Sequence, residues 1–153
     1  MRIAVYQPDI PQNLGAMIRL GACLGVPVDV IEPCGFPFGE RGGGNRDVRR
    51  AGMDYMNMGD VTRHVSWSTY RAAQQAAGGR LILLTTTAQT SYLDIDYADS
   101  DTLLLGRESA GAPEEVHAAA DLEVRIVMTP PARSLNVVNA AAMVLGEALR
   151  QTR

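Results

Sequence analysis

Lysine is absent: all 14 basic residues are arginines. Every positive charge is therefore a planar fork suited to phosphate or carboxylate rather than a mobile point charge. Two cysteines, Cys23 and Cys34, make neither a Cys-x-x-Cys pair nor a disulfide framework, and both are expected to be small buried thiols in a reducing compartment. Long apolar runs are missing too. The longest, Leu81 to Leu84 and Ala140 to Leu145, fall far short of the roughly 18–20 residues that cross a bilayer. Met1 to Tyr6 run into Gln7-Pro8-Asp9 without an apolar core of signal-peptide length, which predicts a cytoplasmic protein with no membrane association.

Several chemical signatures are also lacking. His64 and His117 have no histidine partner at helical spacing, so each reads as a surface or packed imidazole and no metal site is expected. Gly106 to Gly111 lacks the lysine and spacing of a phosphate-binding P-loop or a dinucleotide fingerprint, which speaks against nucleoside triphosphate chemistry. Ser134 is not set in a Gly-x-Ser-x-Gly elbow, which removes that serine-hydrolase arrangement.

What is present describes one domain over residues 1–153. The chain is 46% hydrophobic and 20% charged, well away from disordered compositions, and a chain of this length buries roughly 70% of its unfolded surface. A formal charge of −3 argues against coating nucleic acid by bulk charge. A local basic patch is nevertheless available in Arg41, Arg46, Arg49 and Arg50.

Apolar patterning predicts strands at Arg2–Tyr6, Val28–Ile31, Arg80–Thr85, Thr102–Leu105 and Glu123–Val127, with a weaker strand signal in Tyr55–Val65. Between them fall a helix from Leu14 to Leu24 capped by Asn13, a turn of helix over Arg46–Ala51, and a helix capped by Ser68 that ends at Gly78-Gly79. Another helix starts with Pro113 at its first position, and the last runs from Asn136 to Arg150. Glu32 to Asn45 and Thr86 to Ser100 read as irregular. The alternation predicts an α/β fold with a mainly parallel sheet flanked by helices.

Three polar loops each follow a strand and enter a helix: Pro11 to Gly15, Gly106 to Gly111, and Arg133 to Asn136. Taken singly, each reads as an ordinary capped turn. Together they would gather at the carboxyl ends of parallel strands, where open α/β sheets bind ligands. The last helix carries apolar residues around most of its circumference, and Ala142 and Gly146 are small enough for close approach by a second copy of the chain. A helix sunk wholly in the core of one chain explains the same pattern.

In order along the chain stand Asn13-x-Gly15-x-x-x-Arg19, then Leu104-Leu105-Gly106-x-Glu108-x-x-Gly111-x-Pro113, then Ile126-x-Met128 followed by Ser134-Leu135-Asn136-Val137. This set resembles the three motifs of the SPOUT RNA 2′-O-ribose methyltransferases. Pro8-Asp9-Ile10-Pro11, Ile31-Glu32-Pro33-x-Gly35-Phe36, Arg49 to Tyr55 and Leu84-Thr85-Thr86 add agreement with the small branch that modifies the wobble nucleotide of tRNA. The chain departs from that branch at Gly146 and Leu149, where an aromatic pair is usual.

The resemblance implies a C-terminal trefoil knot, a pocket for S-adenosylmethionine, a homodimer, a tRNA substrate and no metal. By position it would line the cofactor pocket with Leu84, Thr85, Gly106, Glu108, Gly111, Ile126, Met128, Ser134, Leu135 and Asn136. Catalysis would fall to Arg19, Glu108, Ser134 and Asn136, with Arg19 reaching cofactor held by the other protomer. RNA would meet Asn13, Arg19, Arg41, Arg46, Arg49 and Arg50. An rRNA methyltransferase, a knotted RNA-binding protein without turnover and a nucleotide-binding regulator remain as alternatives.

Overall fold

Residues 1–39, 45–57 and 59–153 are described by a computed structural model. Arg41 lies outside the described residues. Seven strands form one sheet: β1 (Arg2–Tyr6), β2 (Val28–Ile31), β3 (Val61–His64), β4 (Leu81–Leu84), β5 (Thr90–Ser91), β6 (Thr102–Leu105) and β7 (Leu122–Arg125). Their order is β3-β2-β1-β6-β4-β7-β5, and every neighbouring pair is parallel.

Helices α1 (Pro11–Leu24), α2 (Arg46–Gly52) and α5 (Val137–Thr152) contribute to the core on one face of the sheet, and α3 (Trp67–Ala77) and α4 (Glu114–Ala119) to the core on the other. Strand alternation sorts the side chains between the two cores. Ile3, Val5, Leu103 and Leu105 pack with Leu14, Met17 and Ile18 of α1 and Ala141, Val144 and Leu145 of α5. Ala4, Tyr6, Leu81, Leu83 and Leu104 pack with Tyr70 of α3 and Val116 of α4. Each large aliphatic side chain buried this way contributes about 1.5–3 kcal/mol. The α/β class read from the sequence is the class observed.

The differences are local and have physical causes. Helix α1 starts at Pro11 with Ile10 as its extended N-cap, so Asn13 is not the cap. Proline's fixed φ already suits the first helical position, and the Asn13 side chain bonds elsewhere. Tyr55–Val65 is not one strand: a 3-10 turn spans Met53–Asn57, and β3 begins only at Val61. Ser66, not Ser68, caps α3 by accepting from the Thr69 amide. Pro113 is the N-cap of α4 rather than its first helical residue, and Asn136 is the N-cap of α5 rather than inside it.

The irregular segment after β4 contains β5, and β7 ends at Arg125, its last pairing partner being Ser91 on that short edge strand. Cys23 is exposed and Cys34 half-buried, which corrects the expectation that both are buried. Cys23 falls opposite the α1 face that carries Leu14, Met17 and Ile18. His64 is packed, with Nε2 2.8 Å from Asp29 Oδ1, and His117 pairs with Glu123 at 2.7 Å.

Candidate active site

A cavity of about 460 Å³ opens at the carboxyl ends of β4, β6 and β7. Leu84 and Thr85 follow from β4; Gly106, Glu108 and Gly111 come from the loop after β6. Ile126, Met128, Ser134, Leu135 and Asn136 come from the segment joining β7 to α5. The ten positions aligned with the pocket motifs thus share one hollow, although they come from three stretches of chain. Asn13 also lines it, whereas Arg19, Arg46, Arg49 and Arg50 do not.

Local chemistry shapes the loop after β6. Arg107 and Gly111 exchange backbone hydrogen bonds of 2.9 and 2.7 Å, and Gly111 closes this turn at φ +69°, in the left-handed region glycine occupies without strain. A Cβ placed at Gly106 would lie 2.7 Å from the Gly111 carbonyl carbon, so only glycine lets the two arms of the loop approach. The Arg107 guanidinium bonds the Gln7 side chain, and Gln7 leaves β1 at φ +44°.

A polar network ties three loops together at the cavity edge. The Asp9 amide donates to Glu108 Oε2 at 3.0 Å, and Asn13 Nδ2 donates to Glu108 Oε1 at 3.2 Å. Asn136 Nδ2 donates to Asn13 Oδ1 at 3.0 Å, while Asn136 Oδ1 accepts from the amides of Val138 and Asn139 and so caps α5. Ser109 donates to Asp9 Oδ2 through its amide and its hydroxyl. Burial, and then the neighbouring Asp9 carboxyl, raise the pKa of Glu108 above the ordinary glutamate range. Burial also pushes Asp9 upward, but hydrogen bonds with Glu108 and Ser109 outweigh it and hold Asp9 below its ordinary value. The two neighbouring carboxyls are thus shifted in opposite directions, Glu108 up and Asp9 down. Buried Asp9 Oδ1 has no hydrogen-bond partner among the described residues.

Arg19 stands apart on the exposed side of α1. Its Nη1 lies 3.1 Å from Met53 Sδ, and its Cζ sits 5.3 Å from the centre of the Tyr55 ring. Met53 adopts φ +52°, ψ −142°, a region that costs a residue with a side chain on the order of 1–3 kcal/mol. Arg46, Arg49 and Arg50 are exposed along α2. Among the described residues no group of three or more His, Cys, Asp or Glu side chains is placed to hold a metal ion, and no helix is long and apolar enough to cross a membrane.

Asp9, Arg125 and Tyr55 were not singled out from the sequence as site residues. Asp9 stands between two prolines beside the first polar loop, a signal that only its contact with Glu108 makes legible. Arg125 lines the cavity, and its buried Nε has no partner among the described residues. An apolar wall from Leu84, Leu105, Val124 and Ile126, a glycine cradle and an open buried donor suit a flat heteroaromatic ring with a polar, charged tail. S-adenosylmethionine has that chemistry.

A model described as the SpoU rRNA Methylase family matches residues 1–146. The tRNA (cytidine(34)-2′-O)-methyltransferase of Beijerinckia indica subsp. indica is 57% identical over 149 residues, covering 97% of this chain and 90% of the relative. A structure solved for insights into 2-OH methylation of C/U34 on tRNA superposes with TM-score 0.89 at 35% identity, covering 98% of this chain and 94% of that one. The AdoMet-bound rRNA methyltransferase from Sinorhizobium meliloti gives TM-score 0.86 at 26% identity, covering 97% of this chain and 55% of that one.

Proposed function

The chain belongs to the SpoU methylase family, and we propose that it transfers a methyl group from S-adenosylmethionine to the 2′-oxygen of a tRNA ribose, at the wobble nucleotide of the anticodon. The observation that carries the reading is the hollow at the carboxyl ends of β4, β6 and β7, where loops from three parts of the chain present glycine backbone, apolar walls and a closed network of amides and carboxyls. The relative 57% identical to this chain is a tRNA (cytidine(34)-2′-O)-methyltransferase, which supports tRNA as the substrate and cytidine at position 34 as the target. The protein would act in the cytoplasm, with residues 1–153 forming one catalytic domain.

When bound, S-adenosylmethionine supplies a methyl group on a sulfonium, a leaving group that needs no metal assistance. The chain's task is to hold and align. Leu84, Ile126, Met128 and Leu135 would enclose the apolar part of the cofactor, while Thr85, Gly106, Glu108, Gly111, Ser134 and Asn136 would offer hydrogen-bonding groups and close backbone approach. Ser134, Asn136 and Glu108 would also orient the ribose, because in-line displacement depends on alignment more than on acid–base strength. A guanidinium, a donor with no acceptor atom, is a poor general base, so Arg19 would bind the RNA phosphate and stabilise charge developing on the 2′-oxygen. Asn13, Arg46, Arg49 and Arg50 would extend the RNA contact, Arg41 belonging to the same run of sequence.

Arg19 lies outside its own chain's cavity, which supports a homodimer in which it serves the partner's. The exposed side of α5, with Ala142, Met143 and Gly146, offers a surface for close helix approach. The β7–α5 segment would carry the trefoil knot. Protein incubated with methyl-labelled cofactor and total RNA should place label on the wobble ribose of tRNA; label confined to rRNA, or none, overturns the reading. Mixed Arg19→Ala and Asn136→Ala subunits, each inactive alone, should regain about a quarter of wild-type sites if the site is shared. No recovery after verified subunit exchange would return Arg19 to its own chain's cofactor.

A further inference from the structure

The α1–α2 contact is built around one glycine. A Cβ at Gly15 would lie 2.3 Å from the Val48 carbonyl oxygen and 2.8 Å from Ala51 Cβ, so α2 rests directly on the α1 backbone one turn before Arg19. Helix α2 then stops at Met53, whose amide caps Arg49 O and whose left-handed backbone turns the chain back over α1. The strained residue is Met53, not neighbouring Gly52, where that conformation would be free of strain. A side chain at such a position directs attention to what it touches.

The Met53 side chain meets Arg19. Its thioether accepts from Nη1, and the Tyr55 ring, two residues on, lies under the guanidinium carbon. Among the described residues no carboxylate pairs with Arg19, in contrast to Arg2, Arg63, Arg80 and Arg150. A carboxylate would fix a guanidinium and neutralise it at once. A thioether and a π face fix it while leaving its charge and its other N–H groups available to an anion.

We propose that Met53 and Tyr55 are positioning residues that hold the Arg19 guanidinium in one orientation, un-neutralised, for the RNA backbone and the developing 2′-oxyanion. This rests on the reading of Arg19 given above. The ligand class is a phosphate or alkoxide oxygen of RNA, and the cofactor is not involved in the positioning.

The test compares Tyr55→Phe, Tyr55→Leu, Met53→Gly and Arg19→Ala for methyl transfer to tRNA, with S-adenosylmethionine binding by calorimetry and thermal unfolding beside it. Tyr55→Phe keeps the π face and should stay within about twofold of wild type. Tyr55→Leu and Met53→Gly should each lower kcat by about 10- to 100-fold, as loss of alignment does. KM for the cofactor should not rise, calorimetric affinity and Tm should not fall, and Met53→Gly tolerates the left-handed backbone without strain. Wild-type kcat in Tyr55→Leu and Met53→Gly, with Arg19→Ala inactive, would overturn the positioning role and leave the methyltransferase reading standing. A loss in Tyr55→Phe equal to that in Tyr55→Leu, or a joint fall of Tm and cofactor affinity, would overturn it in favour of the hydroxyl or of folding. Full turnover by Arg19→Ala would remove the premise and the proposal together.

Discussion

The two ends of the sheet each carry a hollow of similar volume, about 460 Å³ at the carboxyl ends and about 490 Å³ at the amino ends, and they treat polar groups in opposite ways. At the amino ends, charges answer one another within the frame of the strands. Asp29 takes both a two-point contact from Arg2, at 2.7 and 3.0 Å, and His64 Nε2 at 2.8 Å. Fully buried Asp101 accepts from Arg80 at 2.9 and 2.6 Å and from the Ala98 amide at 2.8 Å. The Tyr70 hydroxyl alone is left without a partner there among the described residues. At the carboxyl ends the carboxyls of Asp9 and Glu108 are answered by backbone and side-chain amides rather than by arginine, and Arg125 keeps a buried N–H unused. Volume does not separate the two hollows; the availability of their polar groups does.

The difference can be broken first from the structural side. Arg80→Ala strands a fully buried carboxylate and should lower stability by about 3 kcal/mol, read by urea unfolding, while cofactor affinity of the folded fraction is unchanged. A matching loss of cofactor binding would show the two ends to be coupled. On the other side, Asn136→Ala removes the α5 cap, worth about 1 kcal/mol, and leaves Asn13 Oδ1 without its donor. Methyl transfer should fall on the order of 100-fold, a loss much larger than the stability change predicts.

A pH series sharpens the contrast. The Glu108 pKa is raised on folding, so its protonated form stabilises the native state, and that contribution is lost as pH climbs from 4.5 through the folded value. Asp9, lowered on folding, contributes the reverse: its share is present above its ordinary value of 3.8 and lost as pH falls below it. The Tm difference between wild type and Glu108→Gln should therefore shift against wild type as pH rises above 4.5. A pH-independent difference would mean that folding does not raise the Glu108 pKa. The smallest effect concerns thiols. Burial, with help from Glu32, pushes the Cys34 pKa up to about 12, so native protein should alkylate rapidly only at exposed Cys23, as counted by mass spectrometry.

Much of the frame was legible because strands such as Leu81–Leu84 and Thr102–Leu105 are short apolar runs between turn signals, and alternation with helices leaves few fold classes. Strand order was not, since nothing local to β7 records that it pairs with β4 and β5. Asn13 illustrates the limit well. Its type and place suggest a cap, yet its side chain is engaged by Glu108 and Asn136, residues 95 and 123 positions away. Cys23 is exposed because its place opposite the apolar stripe of α1 outweighs the general preference of cysteine for burial. The residues lining the carboxyl-end cavity were reached through ordered motifs rather than periodicity, and Asp9 escaped because its meaning depends on Glu108.

The interleaved strand order also governs when the cavity comes into existence. β7 is made after β4 and β5 but lies between them, and the bond from Asn136 to Asn13 closes 123 residues of chain. Contacts so remote in sequence form late, because the loop entropy must be lost before they give anything back. The first two strands can pair once some thirty residues are available, about the length that ends with Ile31. The hollow has no such early version, since Val137 and Ala140 of the last helix are part of its wall. A chain that stops short of that helix therefore lacks part of the wall and the Asn136 cap that joins it to Asn13, so the hollow is completed only by the last segment to be made.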